Sequence, residues 1–306
     1  MALPKKVTVS EVGPRDGLQI EARHVPTAVK IELIERLVAA GIDRIEASSF
    51  VHAKVVPQLA DAEQVFAGLT RKPGVRYGAL VFNAKGAARA LAAGVDDLKT
   101  GLAASDTFNE LNIRMSTEQG MRALDEIAAM AKGTQVRLVG GIATAFGCPY
   151  EGEISRARLH QLFGQLVDYG APLIYLADTT GVADPAAVRR TLEDLGRDWP
   201  NQRIGLHLHN TRGLGLANAL AAYEEGVRSF DSSLGGLGGC PFAPGASGNV
   251  ITEDLVFMFE AMGVSTGIDL DKLMAARRIM VEVLPQEQTY GHFALAGVPK
   301  GFRAAA

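Results

Sequence analysis

Short apolar runs rich in β-branched residues alternate along the chain with longer stretches of helical periodicity. The helical stretches repeat apolar residues at three- and four-residue spacing, as at Leu159, Leu162 and Phe163. The apolar runs predict eight strands: Val7–Val12, Arg44–Ser49, Val75–Phe82, Asp97–Leu102, Gln135–Ile142, Leu173–Ala177, Arg203–His209 and Ser229–Ser233. Eight strands that alternate with helices predict a parallel sheet of the α/β class, and eight is the number that closes a (β/α)8 TIM barrel.

The alternative fold is an open, doubly wound sheet. Dinucleotide-binding sheets of that type carry Gly-x-Gly-x-x-Gly after the first strand, whereas residues 11–17 read Glu-Val-Gly-Pro-Arg-Asp-Gly. We therefore predict one catalytic barrel domain over 1–306, with a C-terminal helical extension at 270–306. Within the extension the helical pattern covers Leu270–Leu284, and the tail after Pro285 has no regular pattern. We find no linker and no second domain.

Two histidines, one residue apart, occupy the predicted seventh strand. Alternate side chains of a strand point to the same face, so His207 and His209 converge on one point. Paired imidazoles followed by the polar Asn210 favour a metal site, and the alternative is a hydrogen-bonded pair of buried histidines. Two imidazoles with carboxylate and amide oxygens would suit Mg²⁺ or Mn²⁺ better than structural zinc.

Other polar residues lie where predicted strands end, which is where the chemistry of a barrel is placed. Asp16 is the best carboxylate candidate, because an acid after the first strand can reach across the barrel mouth to the seventh. Its alternative role is to cap the turn before Gly17. The further candidates are Arg15 and Gln19 after the first strand, Glu46 and Ser48 in the second, Asn83 after the third, and Asp178 and Thr179 after the sixth.

A glycine-rich stretch follows the eighth predicted strand, at residues 235–248. It is too flexible for a helix or a strand, so we interpret it either as a mobile active-site flap or as a plain surface loop. Cys240 favours the flap, because an unpaired cysteine beside a cation can be a reactive thiol. Cys148, between Gly147 and Pro149, has no comparable context.

Composition narrows the class of protein further. The chain has 306 residues, of which 47% are hydrophobic and 21% charged, with a net charge of -3, so we expect no nucleic-acid partner. No apolar run is long enough to span a membrane, and no apolar signal region follows residues 1–6. Two cysteines cannot build a disulfide framework, which favours a reducing compartment and a cytoplasmic protein.

Several motifs together resemble the 3-hydroxy-3-methylglutaryl-CoA lyase family, within the superfamily of barrel metallolyases. They are Val-Gly-Pro-Arg-Asp-Gly-Leu-Gln at 12–19, His-x-His at 207–209, Gly-Leu-Gly-Gly-Cys-Pro at 236–241, Asp-Ser-Ser at 231–233, Gly-Cys-Pro-Tyr-Glu-Gly at 147–152 and Ala-Ser-Gly-Asn at 246–249. The resemblance covers nearly the whole chain. It implies a retro-Claisen cleavage of a 3-hydroxyacyl-CoA into acetyl-CoA and a keto acid, by a homodimer or higher oligomer.

The same resemblance implies roles for individual residues. It places a divalent cation, Mg²⁺ or Mn²⁺, on Asp16, His207, His209 and Asn249. It makes Arg15 the donor to the thioester oxygen and Cys240 the acid that protonates the enolate. Glu46 stands where the family has an active-site acid, and its alternative role is to be a buried partner of Arg15. Gln19, Ser48, Asn83, Asp178 and Thr179 are expected to contact the substrate.

Two departures from the family pattern concern the acyl group. Asn210 stands where many members have Asp, and the sixth strand ends in Asp-Thr-Thr-Gly at 178–181, where the family has Gly-Asp-Thr-Ile-Gly. Citramalyl-CoA or a longer 3-hydroxy-3-alkylglutaryl-CoA is therefore an alternative substrate. A condensing synthase of the isopropylmalate or homocitrate type is disfavoured by Gly-Gly-Cys-Pro at 238–241 and by a chain too short for a regulatory domain. A binding barrel without catalysis would need no reactive thiol.

Overall fold

Eight parallel strands close into a barrel in a computed structural model that describes residues 5–239 and 248–305. Each strand pairs with its neighbours in sequence, and β1 also pairs with β8. The strands are β1 Thr8–Glu11, β2 Arg44–Ser49, β3 Arg76–Leu80, β4 Asp97–Ala103, β5 Arg137–Ala143, β6 Leu173–Asp178, β7 Arg203–Leu208 and β8 Ser229–Ser232. The predicted TIM barrel is confirmed, and every predicted strand is present with ends that differ by at most two residues.

Helices surround the barrel and bury their apolar faces against it. They are α1 Thr27–Ala39, α2 Ala62–Gly68, α3 Ala84–Ala92, α4 Asp106–Ile113, α5 Thr117–Ala131, α6 Arg156–Asp168, α7 Pro185–Asp198, α8 Gly215–Glu224, α9 Thr252–Ala261, α10 Leu270–Val283 and α11 His292–Ala296. In α6 the periodic residues Leu159, Leu162 and Phe163 are all buried, as their spacing predicts. No helix in the described part of the chain is both long and apolar enough to cross a membrane.

An ion-pair clamp holds three strands together at the amino end of the barrel. Asp97, the first residue of β4, accepts a hydrogen bond from Arg76 Nε at 2.7 Å on one side. On the other side Arg137 donates to both carboxylate oxygens, at 2.9 and 2.7 Å. Because this carboxylate is nearly buried, the two arginines hold its pKa below the ordinary value although burial alone would raise it. The clamp therefore lies at the opposite end of the barrel from the carboxyl ends of the strands.

The C-terminal extension packs back onto the barrel rather than extending away from it. α10 lies against α1 and α9, and it ends one residue before the predicted boundary. The tail expected to be irregular contains the short helix α11. Asp254 explains that helix, because its carboxylate accepts hydrogen bonds from the backbone N–H groups of His292 and Phe293 at 3.0 and 2.8 Å.

Candidate active site

A cavity of about 200 Å³ opens at the carboxyl end of the barrel. Its polar side combines groups that follow β1 with side chains on or just after β2, β4, β7 and β8. Its other side is apolar and is lined by Phe82 after β3, Leu102 on β4, and Phe108 and Ile113 on α4. Such a cavity is smaller than the roughly 300–1,000 Å³ of pockets that enclose a drug-sized ligand. It therefore fits a small polar group with an apolar substituent better than a whole cofactor.

A single helical turn, Gly13–Gly17, places Arg15 and Asp16 at the mouth of the cavity. The turn is anchored by Glu11, a fully buried residue of β1 that faces it. Glu11 Oε1 accepts hydrogen bonds from the backbone N–H groups of Gly13 and Leu234 at 2.8 and 2.9 Å. Glu11 Oε2 accepts from Thr252 Oγ1 at 2.6 Å. One carboxylate thus fastens the first loop to the segments that follow β8.

Burial raises the pKa of Glu11 from 4.5 to about 7, although Thr252 and the two backbone donors lower it. The unfolded chain therefore loses this proton at lower pH than the folded one, so this group makes the fold less stable as pH rises from about 4.5 to about 7. Glu11→Gln keeps the shape without the charge. We expect the variant to be more stable than wild type at pH 8, by up to the order of 3 kcal/mol, and about equal at pH 5. Denaturant unfolding of both proteins at the two pH values measures this, and parallel pH profiles would contradict it.

Three side chains converge as metal ligands would. Asp16, His207 and His209 each offer a ligand atom, and these atoms all lie within 4.8 Å of one another. The two histidine Nε2 atoms are 3.2 Å apart. The strand alternation that predicted their convergence is confirmed, since both side chains line the cavity.

Asn249 completes this group from the segment after the glycine-rich stretch. Its Nδ2 donates to Asp16 Oδ2 at 2.6 Å and to the Leu237 carbonyl at 3.1 Å. Its Oδ1 is buried and has no hydrogen-bond partner among the described residues. A buried amide oxygen without a hydrogen-bond partner, on a side chain that contacts the Asp16 carboxylate, is suited to bind a cation. The predicted donor set of Asp16, His207, His209 and Asn249 therefore fits a divalent metal ion.

Electrostatics keep the Asp16 ligand ionised. Burial alone would raise the pKa of Asp16, but Arg15, the two histidines and the hydrogen bond from Asn249 hold it below the ordinary value. Arg15 Nη1 lies 2.5 Å from Asp16 Oδ1, and Gln19 Nε2 donates to the same oxygen at 2.8 Å. Asp16 is therefore more than a cap for the turn before Gly17, because its carboxylate faces the cavity with charged partners.

Arg15 is itself held by a second carboxylate. Its Nε donates to Glu46 Oε1 at 2.5 Å, and the Glu46 side chain is 1% exposed. These contacts match the alternative role predicted for Glu46, which is to be a buried partner of Arg15. Burial would lower the pKa of Arg15, but Glu46 and Asp16 raise it above the ordinary value, so the guanidinium stays charged. Arg15 lines the cavity, where its Nη1 lies 2.5 Å from Asp16 Oδ1 and 3.5 Å from Gln19 Oε1.

Sequence reasoning missed a largely buried lysine that lines the cavity and bridges two carboxylates. Lys99 of β4 lies 2.9 Å from Glu46 Oε2 and 3.5 Å from both oxygens of Asp231 in β8. Asp231 Oδ2 in turn lies 3.2 Å from His207 Nδ1. An inward-facing lysine in the middle of a strand is the sequence signal that could have identified this cluster, since such a group is rarely buried without a partner.

Three predicted substrate-contacting residues have other surroundings. Among the described residues, Ser48, Asn83 and Asp178 do not line the cavity. Asn83 caps α3 by accepting a hydrogen bond from the Gly86 backbone N–H. Asp178 accepts from the N–H groups that follow β6, at Val182 and Ala183. The polar atoms of Asn83 and Asp178 therefore shape loops, and their contact with substrate stays a prediction.

The other two candidates do reach the cavity. Gln19 and Thr179 both line it. Thr179 Oγ1 also accepts a hydrogen bond from the Thr144 backbone N–H at 2.9 Å, which fixes its orientation. Ser48 Oγ is buried and has no partner in the described part of the chain. Of the predicted set, Gln19 and Thr179 are therefore the ones placed to touch a ligand.

The described start of the glycine-rich stretch is packed against the metal-ligand group. Residues 235–239 are buried or half-buried, so this part is not an exposed surface loop, and the active-site flap stays a prediction. Gly238 has φ 101°, and a Cβ there would lie 2.7 Å from Asn249 Nδ2 and 3.0 Å from Asp16 Oδ2. Glycine is required because its backbone closes over the ligands. Cys240, the predicted acid, lies outside the described residues together with 241–247, while Cys148 is buried with its Sγ 3.0 Å from Ser105 Oγ.

Comparison with known proteins identifies the family of the chain. A family model described as HMGL-like matches residues 6–280. The chain is 43% identical over 282 residues to a hydroxymethylglutaryl-CoA lyase of Bacillus subtilis, covering 92% of this chain and 94% of that protein. It is also 43% identical over 281 residues to the mitochondrial hydroxymethylglutaryl-CoA lyase of Bos taurus, covering 92% and 86%.

Solved structures give the same answer. An HMG-CoA lyase from Acinetobacter baumannii, in complex with coenzyme A and 3-methylmalate, superposes with a TM-score of 0.93 at 46% identity, covering all of both chains. The Bacillus subtilis HMG-CoA lyase superposes with a TM-score of 0.92 at 41% identity, covering 96% of this chain and 99% of that one. With a family match over nine-tenths of its length and a barrel mouth built from the motifs of that family, the chain belongs to the HMGL-like family of hydroxymethylglutaryl-CoA lyases.

Proposed function

We propose that this chain is a metal-dependent carbon–carbon lyase that cleaves 3-hydroxy-3-methylglutaryl-CoA to acetyl-CoA and acetoacetate. The tertiary hydroxyl loses its proton and its oxygen forms a carbonyl at C3. The electron pair of the C2–C3 bond moves to C2, giving the enolate of the acetyl thioester. A proton then adds to that carbon. The reaction balances without an oxidant or a further reactant.

The observation that carries the proposal is the convergence of two charge-stabilising devices on one cavity. The first device consists of Asp16, His207, His209 and the unpaired Oδ1 of Asn249, and the second device is Arg15. The 2.5 Å contact between Arg15 and Asp16 links the two. A retro-Claisen cleavage needs two such devices, because charge appears first on the hydroxyl oxygen and then on the thioester oxygen. A bound divalent cation would supply the first by lowering the pKa of the coordinated hydroxyl.

Arg15 is placed to supply the second device. Its Nε is held by Glu46 and its Nη1 by Asp16, so the guanidinium has a fixed orientation where it lines the cavity. Donors that are already oriented stabilise a developing oxyanion without reorganising during the reaction. Gln19 shares the Asp16 carboxylate with Arg15 and limits how far either can turn. We propose that these donors receive the thioester oxygen as the enolate forms.

The apolar wall and the size of the cavity support an acyl-CoA substrate. The cavity of about 200 Å³ takes the acyl end, and Phe82, Leu102 and Phe108 offer a surface for an alkyl substituent at C3. A relative of 46% identity binds coenzyme A together with 3-methylmalate. Cleavage of a related ester, such as citramalyl-CoA, would need the same polar groups, so we expect this wall to discriminate between the esters.

Four finer points belong to the proposal. We assign Mg²⁺ or Mn²⁺ because the donor set mixes imidazole with carboxylate and amide oxygen. We expect a homodimer or higher homo-oligomer. The scarcity of cysteine supports a cytoplasmic, reducing compartment. Acetoacetate is a ketone body, so the proposed reaction would serve ketone-body formation and the breakdown of leucine.

The deciding experiment is an assay of acetyl-CoA release from a panel of 3-hydroxyacyl-CoA esters. The proposal predicts turnover of the 3-hydroxy-3-methylglutaryl ester that stops with EDTA and returns with Mg²⁺ or Mn²⁺. Turnover of the citramalyl ester alone would keep the reaction and change the substrate. Full activity in metal-free protein, or no release from any ester, would contradict the proposal.

Cys240 is proposed as the acid that protonates the enolate carbon. If it has this role, its thiol is expected to react with iodoacetamide in the free enzyme and to be protected by a bound product analogue. Cys240→Ser replaces the thiol with a much weaker acid of similar size, so kcat should fall by about 10²- to 10⁴-fold while metal binding persists. Labelling followed by mass spectrometry, with buried Cys148 as the internal reference, measures the protection. Normal turnover by the serine variant would exclude the role.

A further inference from the structure

Asp231 is a buried carboxylate that lies between His207 and Lys99. Its Oδ2 is 3.2 Å from His207 Nδ1, and Lys99 Nζ is 3.5 Å from each of its oxygens. A carboxylate can only accept, so His207 carries its proton on Nδ1 and leaves Nε2 as the acceptor that faces Asp16 and His209. Asp231 therefore sets both the tautomer and the direction of the His207 ring.

Lys99 connects this carboxylate to the opposite side of the site. Its Nζ is 2.9 Å from Glu46 Oε2, whose other oxygen binds Arg15 Nε at 2.5 Å. The Lys99 side chain is 12% exposed, and its ammonium group packs 5.2 Å from the centre of the Tyr175 ring. Burial would lower the pKa of Lys99, but Asp231 and Glu46 raise it. The ammonium group is therefore a fixed positive charge between two buried negative charges.

These contacts form one unbroken series from Arg15 through Glu46, Lys99 and Asp231 to His207. The first member follows β1 and the others lie on β2, β4, β8 and β7, so the series crosses the barrel interior. We propose that Lys99 is a positioning residue that holds Arg15 and His207 in mutual alignment through the two carboxylates it bridges. The inference rests on the proposed function, because it requires His207 to bind the cation and Arg15 to face the thioester.

The physical reason is charge balance in a buried volume. Without the ammonium group, Glu46 would keep its ion pair with Arg15, and Asp231 would keep no ammonium or guanidinium partner among the described residues. Each carboxylate would then leave its present position to find donors or water. Movement of Asp231 would turn the His207 ring, and movement of Glu46 would release Arg15 Nε. One substitution should therefore disturb both devices, although Lys99 touches neither of them.

The test compares Lys99→Met with wild type in Mn²⁺-loaded protein. Met preserves the volume of the chain and removes the charge. The Mn²⁺ EPR line shape reports the symmetry of the ligands without substrate, and steady-state kinetics report turnover. We expect the line shape to change and kcat to fall by about 10- to 100-fold, with KM little changed, as for other residues that orient metal ligands. Lys99→Arg, which keeps the cation, should recover part of kcat.

The matched control is Lys30→Met. Lys30 is also a buried lysine, 2% exposed, that binds a carboxylate, with its Nζ 2.6 Å from Asp61 Oδ1, but it lies on α1 away from the cavity. Its variant should lose stability and keep the wild-type EPR line shape and kcat. If Lys99→Met does not fold, Lys99→Gln, which retains one donor without charge, is expected to show the same two changes.

Each outcome decides the inference. A wild-type line shape and kcat in the Lys99 variants would make Lys99 an ordinary buried ion pair and overturn it. A lower kcat with an unchanged line shape would confine Lys99 to the Arg15 side and also overturn it. Failure of wild-type protein to bind Mn²⁺ would instead refute the metal site of the proposed function.

Discussion

His207→Ala is expected to lose bound Mn²⁺ together with at least about 10³-fold of kcat/KM for the thioester. A metal that ionises a substrate hydroxyl contributes several kcal/mol to the transition state, and each 1.4 kcal/mol is about tenfold in rate. His207 offers one of the three clustered ligand atoms and is oriented by Asp231, so its removal deletes a ligand and leaves Asp231 without one of its donors. Metal content after dialysis and acetyl-CoA release measure the two losses.

A histidine outside the cavity provides the control for this variant. His160 lies on α6, where its Nδ1 is 3.0 Å from Asp198 Oδ2. His160→Ala removes an imidazole of similar burial, and we expect it to keep its metal and its turnover. If His207→Ala retained stoichiometric Mn²⁺, the two histidines would be the hydrogen-bonded pair that the sequence left as the alternative.

Periodicity alone predicted the barrel because each strand and helix buries a face. The strands are buried on both faces, so their apolar runs and their number could be read from the sequence. The strand β2 has the bounds that were predicted for it. Asp184-Pro185 likewise marks the start of α7, where the Asp184 side chain accepts from the Ala187 backbone N–H. The exact strand ends were less accessible, because they depend on the register with neighbours rather than on local residues.

The candidate site was predictable only where spacing is local. The pair His207 and His209 follows from strand alternation, and Asp16 follows from its place after β1. The partners of these residues could not be predicted in the same way, because Lys99, Glu46 and Asp231 meet across the barrel interior. Such contacts depend on which residues face inward at one level of eight strands, and that is fixed by the closed register.

The polar residues at strand ends also serve local structure. Asn83 and Asp178 occupy positions where catalytic groups are common, yet their side chains accept backbone hydrogen bonds that begin α3 and shape the loop after β6. Asn and Asp are favoured at such positions for this local reason as well as for chemistry. Residue type at a strand end therefore cannot separate the two roles until the donors around the side chain are known.

Arg15→Met is expected to depress kcat far more than it changes KM. The guanidinium stabilises charge that develops on the thioester oxygen only during bond cleavage, so the ground-state complex should form almost as well without it. Removal of one such donor typically costs about 3–4 kcal/mol, on the order of 10²–10³ in kcat. Arg15 also neutralises Asp16 and Glu46, so part of the loss should appear as altered metal affinity. Steady-state kinetics at saturating Mn²⁺ separates that part from the chemical step.

Arg137→Met is the matched control for Arg15→Met, because Arg137 also binds a buried carboxylate inside the barrel but at its amino end, where it donates to Asp97. Its variant should unfold at lower temperature and retain its kcat. If Arg15→Met raised KM and left kcat near the wild-type value, the arginine would position coenzyme A rather than the reacting thioester. The oxyanion would then need another donor, and Gln19, whose Nε2 already reaches Asp16 Oδ1 at the same mouth, would be the first residue to replace.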